Sequence, residues 1–455
     1  MNKKENKISK EIKINKKLAR RNYSNQTGIT LIALVVTIVV LLILAGVSLN
    51  AIFSENGIIK RAQDAQNKMN NAQESDLNAL NDLDKWINNQ VNGTTGGNTT
   101  GGNDNPSTTP KISTLVGKVV DKNTKAEDAY GNKITIPKGF KILEHNPTSN
   151  TGAVTYNYTN LEETGEHIPA VQDGIVIEDT QTGTAGNQFV WVPVGTIKNK
   201  NGSTNTITLG RYEFDSSTGA LKSTTPAQVA SVENCTKIVT ISKGGTDYQE
   251  LSTFREGNSA TNSTAQNATA RNLEEFISTT LANGGYYIAR FEASGTASKI
   301  ASKYNQTVLG NITQPNAAKV AREMYGEVKE NNELVYASDL VNSYAWDTAI
   351  VFIQTYSGKT DYASHNESIT TKAFTATGKN NDKYCNIWDM SGNAYEWTTE
   401  YSTSSHNSYF SPCVTRGGFY SAGNGEAGYY ASYRGSYYTT YSDSVCSLRS
   451  LLYVK

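Results

Sequence analysis

Cys235, Cys385, Cys413 and Cys446 are the only cysteines of this chain, and His145, His167, His365 and His406 its only histidines. No two cysteines form a CxxC pair and no HExxH occurs, so neither a thiolate zinc site nor a zinc-peptidase helix is written here. Outside a cell the cysteines could close one or two disulfides, or stay as buried thiols; spacing does not decide. The carboxylate that stands out is Glu396, between Tyr395 and Trp397 in "NIWDMSGNAYEWTTE". If buried it needs a partner, for which Arg416, Arg449 or a cation would serve. Trp388, Tyr395 and Trp397 supply core bulk, and Gly392 and Asn393 suit a turn with positive φ.

The second candidate is Arg416–Ser442, "RGGFYSAGNGEAGYYASYRGSYYTTYS", which holds no cysteine, no histidine and one carboxylate, Glu426. It is poor in reactive groups and rich in binding chemistry. Tyrosine offers a large amphipathic surface with two torsions to freeze, and Ser, Gly and Asn add adaptable hydrogen bonds. Phe419, Tyr420, Asn424, Tyr429, Tyr430, Tyr433, Tyr437, Tyr438 and Tyr441 are the candidate ligand-binding face, spaced by Gly417, Gly418 and Arg434 as scaffold. Tyr and Thr also favour strands, so a twisted sheet is the plainer reading of the same letters.

The elements that carry these residues form an α+β arrangement. The chain has 455 residues, 37% hydrophobic and 18% charged, with a formal net charge of +0. Gly, Ser, Thr and Asn fill the difference, as in a loop-rich extracellular protein. No overall field recruits nucleic acid. The charge is segregated, because residues 1–28 are strongly basic and the remainder is net acidic. Ile29–Leu49 is uncharged, apolar and long enough to span a bilayer, and its basic flank places the N-terminus in the cytoplasm. A secretory signal cleaved near Ala45–Gly46 is the competing reading. A three-to-four-residue apolar period continues as a stalk helix to residue 91, and 92–110 is a Gly/Asn/Thr linker. From Lys111 to Lys455 short strands are expected at "STLVGKVVD", "NKITIPKGFKI", "DGIVIED", "NQFVWVPVG" and, centrally, "GGYYIARFEAS". Helices are expected at "ARNLEEFISTTLA", "NAAKVAREMYGEV" and "NSYAWDTAIVFIQTYSG". Asn201–Thr269 reads as polar with little periodicity.

Two resemblances follow. "GITLIALVVTIVVLLILAG" resembles the cleavage and methylation segment of type IV prepilins and pseudopilins. That implies a prepilin peptidase as partner, cleavage after Gly28, a methylated Ile29, and display from a bacterial membrane. The family usually has Glu at the fifth mature position; here it is Ala33, which points away from a major pilin and towards a minor or simply anchored subunit. Over Phe189–Lys455, "NIWDMSGNAYEWTTE", "VTRGGFY" and "SLRSLLYVK" fall in an order similar to the formylglycine-generating enzyme/sulfatase-modifying family. The resemblance implies a loop-rich C-type lectin-like fold, with Trp388, Gly392, Trp397, Arg416, Gly417, Gly418 and Arg449 as structural positions. It also implies calcium as a cofactor on Asn393 and Glu396. The family's oxidase needs a cysteine pair after the "GG", and no cysteine lies between Cys413 and Cys446, so enzymatic activity is not expected. The tyrosine segment resembles the diversified region of variable proteins of diversity-generating retroelements.

The function expected is therefore non-catalytic recognition or adhesion at a bacterial cell surface, towards a protein or glycan ligand. The alternatives are a structural minor pilin or pseudopilin that contacts other pilin subunits, and a degenerate enzyme.

Overall fold

The computed structural model describes residues 109–157, 167–231, 240–243, 245–250, 267–366, 373–406, 409–420 and 430–455. The leader with Gly28 and Ile29, the apolar run, the stalk and nearly all of the linker lie outside them, as do Cys235, Asn424 and Tyr429. The described part is mostly β, with three α-helices. Among the described residues no helix is long and apolar enough to cross a membrane.

Thirteen strands matter here. In chain order they are β1 (Phe140–Ile142), β2 (Val176–Asp179), β3 (Gln188–Pro193), β4 (Ile241–Lys243), β5 (Thr246–Gln249), β6 (Gly285–Ala289), β7 (Glu327–Glu330), β8 (Glu333–Leu340), β9 (Tyr395–Ser402), β10 (Cys413–Arg416), β11 (Arg434–Tyr437), β12 (Cys446–Leu448) and β13 (Ser450–Val454). The helices are α1 (Leu273–Asn283), α2 (Gln314–Glu323) and α3 (Ser343–Tyr356).

One sheet is antiparallel, in the order β7-β8-β13-β6-β3-β2-β1. The "GGYYIA" strand β6 is its centre and is buried along its whole length. Tyr286 and Tyr287 point to opposite faces, as neighbours in a strand must. Tyr286 packs on Phe276 of α1 and donates to the Ala345 carbonyl of α3, while Tyr287 meets Trp191 edge-on at 4.9 Å. The closing strand β13 is inserted between β6 and β8, so the last residues of the chain complete the core.

The second sheet runs β4-β5-β9-β10-β11, with β12 parallel to the first half of β9. β9 has three neighbours, because β12 pairs with Tyr395–Trp397 and β5 with Tyr401–Ser402, while its pairing with β10 carries a register shift between Trp397 and Tyr401. The helix α2 packs on β8 and β9 over a second apolar cluster that includes Tyr395, Trp397, Cys413 and Cys446.

Local chemistry explains the helices. Asn272 and Asn342 cap α1 and α3, each side chain accepting an N–H three residues on. Proline in the first turn starts α2. One expectation needs correction. "STLVGKVVD" is not a strand: it makes single bridges, Val116 to Ile142 and Val119 to Lys141, around Gly117 at φ +76°. Within the polar stretch Asn201–Thr269, which shows little periodicity, Thr204–Ile207 nevertheless pairs with Gly195–Lys198 across a turn holding Asn201–Gly202. Cys385, Cys413 and Cys446 are free thiols, so no disulfide joins any two of these three.

Candidate ligand-binding face

The segments that leave β10 and join β11 to β12 carry most of the aromatic residues, with Tyr395 of β9, Tyr437 of β11 and Phe374 beside them, and their rings form a continuous series. Phe374 meets Tyr420 at 5.4 Å, Tyr420 meets Phe419 at 5.9 Å, and Phe419 meets Tyr395 at 4.8 Å. Tyr395 continues to Tyr437 at 6.2 Å, Tyr437 stacks on Tyr441 at 4.3 Å, and Tyr441 meets Tyr438 at 5.5 Å. Tyr433 joins from the side, 6.0 Å from Tyr395. Tyr395 and Trp397 are buried beneath; Phe419, Tyr420, Tyr433, Tyr437 and Tyr441 are half-buried; Tyr438 is 36% exposed. Burial pushes the Tyr437 and Tyr441 phenols well up, so both remain neutral hydroxyls.

Tyr430 is the correction on this face. It is only 8% exposed, and its hydroxyl accepts from Lys243 Nζ at 2.7 Å. Its place is under the surface, tying β4 to the tyrosine segment.

The face stands on buried charge. Arg416 donates to Asp347 Oδ1 at 2.5 Å and Glu400 Oε2 at 3.3 Å. Arg434 donates to Asp347 Oδ2 at 2.7 Å and Glu400 Oε1 at 2.9 Å, and Arg211 reaches the same Glu400 oxygen at 2.7 Å. Burial alone would push Glu400 up, but Arg434, Arg416 and Arg211 outweigh it and hold Glu400 at about 2. Glu250 lies nearby, at the N-terminus of α3. It accepts from Ser343 N–H and Oγ and from Thr399 Oγ1, and burial pushes it up to about 7. Sequence reading singled out Arg416 and Arg434 but missed Arg211, Asp347, Glu400 and Glu250. The one signal was a charged residue, Glu400, in the otherwise uncharged run after Trp397.

The "GNAYEW" residues form a second buried cluster. Glu396 pairs with Arg449, not Arg416: Nε donates to Oε2 at 2.8 Å and a terminal nitrogen to Oε1 at 2.5 Å. Arg449 also donates to the carbonyls of Ala289, Trp388 and Asp389, which joins both sheets. Gly392 and Asn393 adopt φ +94° and +55°. Asn393 donates to Glu292 Oε2 at 2.5 Å and accepts from Thr375 N–H at 2.9 Å. Trp397 is fully buried and Trp388 nearly so. Gly417 sits at φ +72°, where a Cβ would approach the Met390 carbonyl oxygen to 2.9 Å, and Gly418 is buried beside it.

The calcium expectation does not fit these residues. Both Glu396 oxygens are taken by a guanidinium and the Asn393 oxygen by a backbone N–H, whereas calcium needs several hard oxygens converging on one point. Among the described residues no group of three or more His, Cys, Asp or Glu is placed to hold a metal ion.

No family model matches the chain, and no curated protein matches it. Solved structures similar to it include "Crystal Structure of CarF", at 13% identity over 38% of this chain and 87% of that one, TM-score 0.26. The Major Tropism Determinant I1 variant is similar at 13% identity over 76% of this chain and 99% of that one, TM-score 0.26. The P3c variant of the same protein is similar at 12% identity over 76% and 98%, TM-score 0.26. At such TM-scores the likeness carries no weight for fold or function.

Proposed function

We propose that this chain is a non-catalytic recognition protein of the bacterial cell surface, with a lectin-like domain displayed on a pilin-like membrane anchor. The observation that carries the reading is the ring series from Phe374 to Tyr438, most of its rings half-exposed around the buried Tyr395, beside the Arg416–Asp347–Arg434–Glu400 network. Rigid aromatic anchors that keep their hydroxyls neutral lose little entropy on binding and present both apolar faces and polar tips. The ligand is a protein or a glycan. Prepilin peptidase processes the leader, and the tyrosine segment is the part open to diversification.

The test compares the wild-type chain with a Tyr433→Ser/Tyr438→Ser/Tyr441→Ser variant on a glycan array and on a panel of intact cells. The expected result is loss of binding, since aromatic hot spots are few and dominant. A variant that melts like the wild type and still binds places recognition elsewhere. The basic leader and apolar run also support a second reading, a minor pilin subunit. Co-purification with a filament, without any ligand binding, would favour it.

A further inference from the structure

The charges around the aromatic face are unevenly placed. From Arg416 to Arg449 the basic residues are Arg416, Arg434 and Arg449, and the acidic ones are Glu426 and Asp443. All three arginines are buried and spent on ion pairs, Arg416 and Arg434 with Asp347 and Glu400, Arg449 with Glu396. Glu426 lies outside the described residues. Of the described charged residues in this stretch, Asp443 alone is partly open to solvent, and it forms no ion pair among the described residues. The stretch therefore shows solvent a carboxylate and keeps its cations inside.

That carboxylate is tied to the rings. The Tyr441 N–H closes a turn on the Tyr438 carbonyl at 2.9 Å, and Asp443 follows two residues on. Asp443 Oδ1 accepts from Ser444 Oγ at 3.0 Å and Val445 N–H at 3.3 Å, and Oδ2 accepts from the Tyr441 hydroxyl at 3.2 Å. Burial raises the Asp443 carboxyl, but the donors from Ser444, Val445 and Tyr441 outweigh it and hold it below the usual range. It is charged at neutral pH. Tyr441 stacks on Tyr437 at 4.3 Å and meets Tyr438 at 5.5 Å with the ring planes 87° apart. The face of an aromatic ring is its negative part, so tyrosine rings and a carboxylate beside them attract a cation in the same sense. The fold already makes this contact at the neighbouring tyrosine, where Lys243 Nζ lies 5.2 Å from the Tyr430 ring centroid.

We propose that the partner of the aromatic face is a protein that presents arginine or lysine side chains, seated on the rings around Tyr438 and Tyr441 beside Asp443. This inference rests on the recognition reading above and narrows its ligand from a protein or a glycan to a basic protein surface. Arginine is the better fit, because one planar guanidinium can stack on a tyrosine ring and donate to a carboxylate at once. A neutral glycan carries no charge to complement Asp443.

The test is calorimetric titration of the purified full chain, in a neutral detergent, with two peptides. One is acetyl-Gly-Arg-Gly-Arg-amide; the other has citrulline in place of each arginine, which keeps the shape and removes the charge. The arginine peptide should bind about tenfold tighter, and added salt should weaken it. Asp443→Asn keeps Oδ1 as an acceptor and should weaken the arginine peptide by about threefold, with no effect on the citrulline peptide. Equal binding of the two peptides, or an arginine peptide indifferent to Asp443→Asn, overturns the proposal. Tyrosine-dependent binding to glycans with none to the arginine peptide overturns it and leaves recognition standing. No binding to peptides, glycans or cells overturns both.

Discussion

Arg416 and Arg434 lie directly opposite each other on the adjacent antiparallel strands β10 and β11. Like charges so placed repel. They are tolerated because Asp347 and Glu400 each bond to both guanidinium groups. The strand pairing at the base of the tyrosine segment therefore depends on two carboxylates from other parts of the chain.

Removing Glu400 exposes that dependence. Glu400→Gln removes the buried carboxylate that Arg211, Arg416 and Arg434 share and leaves Asp347 to Arg416 and Arg434, and should cost about 3–5 kcal/mol. Chemical denaturation measures it, and adding Arg211→Met should recover part of the loss. An unchanged midpoint for Glu400→Gln would mean that the network is open to water.

Glu250 gives a pH signature. Burial is the main cause that holds it at about 7 in the folded chain, above the ordinary 4.5, and Glu400 adds to the rise. Between those values the folded chain keeps a proton that the unfolded chain has released. Stability from this group therefore falls as pH rises from 4.5 to about 7, by about 1.4 kcal/mol per pH unit. Glu400 acts in the other direction: held at about 2 by its arginines against burial, it contributes stability above pH 4.5 that is lost as pH falls towards 2. Melts of Glu250→Gln between pH 4.5 and 7 should lack the wild-type decline. Parallel curves for the two proteins would refute the assignment.

Trp397 is fully buried, and its Nε1 donates to the Ile312 carbonyl at 2.7 Å. Trp397→Ala opens a void in the second apolar cluster and strands that carbonyl, a loss of about 3–5 kcal/mol. A thermal melt unchanged by the substitution would remove Trp397 from the core.

The proposed anchor makes its own prediction. N-terminal sequencing of the membrane-extracted protein should begin at a methylated Ile29, and Gly28→Val should block processing because a branched side chain crowds the scissile bond. A mature end near Gly46 would replace the pilin reading with ordinary secretion.

Much of the fold is legible because its signals are local. Asn272 and Asn342 announce helix starts, and "GGYYIA" announces a strand buried on both faces. "STLVGKVVD" misleads because its alternation is broken by Gly117 at positive φ. The partners of the candidate site are illegible for another reason. Arg211, Asp347, Glu400 and Arg434 meet from four distant segments, and no periodicity links them. Glu396 showed its need for a cation, but the choice of Arg449 over Arg416 depends on β13 lying beside β6. Tyr430 looks like its neighbours in sequence, and the Lys243 that bonds its hydroxyl lies 187 residues away in the chain.

The strand ends at Arg416 and Arg434 pin the points where segment 417–433 leaves the sheet and returns to it. Closing a chain segment costs only about 0.6 kcal/mol more when its length doubles. Folding thus constrains the two junctions and the buried residues beside them, Gly417 and Gly418 on one side and Tyr430, Ala431 and Ser432 on the other. Exchanging the half-buried Phe419, Tyr420 and Tyr433 should spend less of the stability that the rest of the domain needs than exchanging those buried positions. The proposed recognition segment has an address, a stretch of chain whose two borders are held by buried salt bridges.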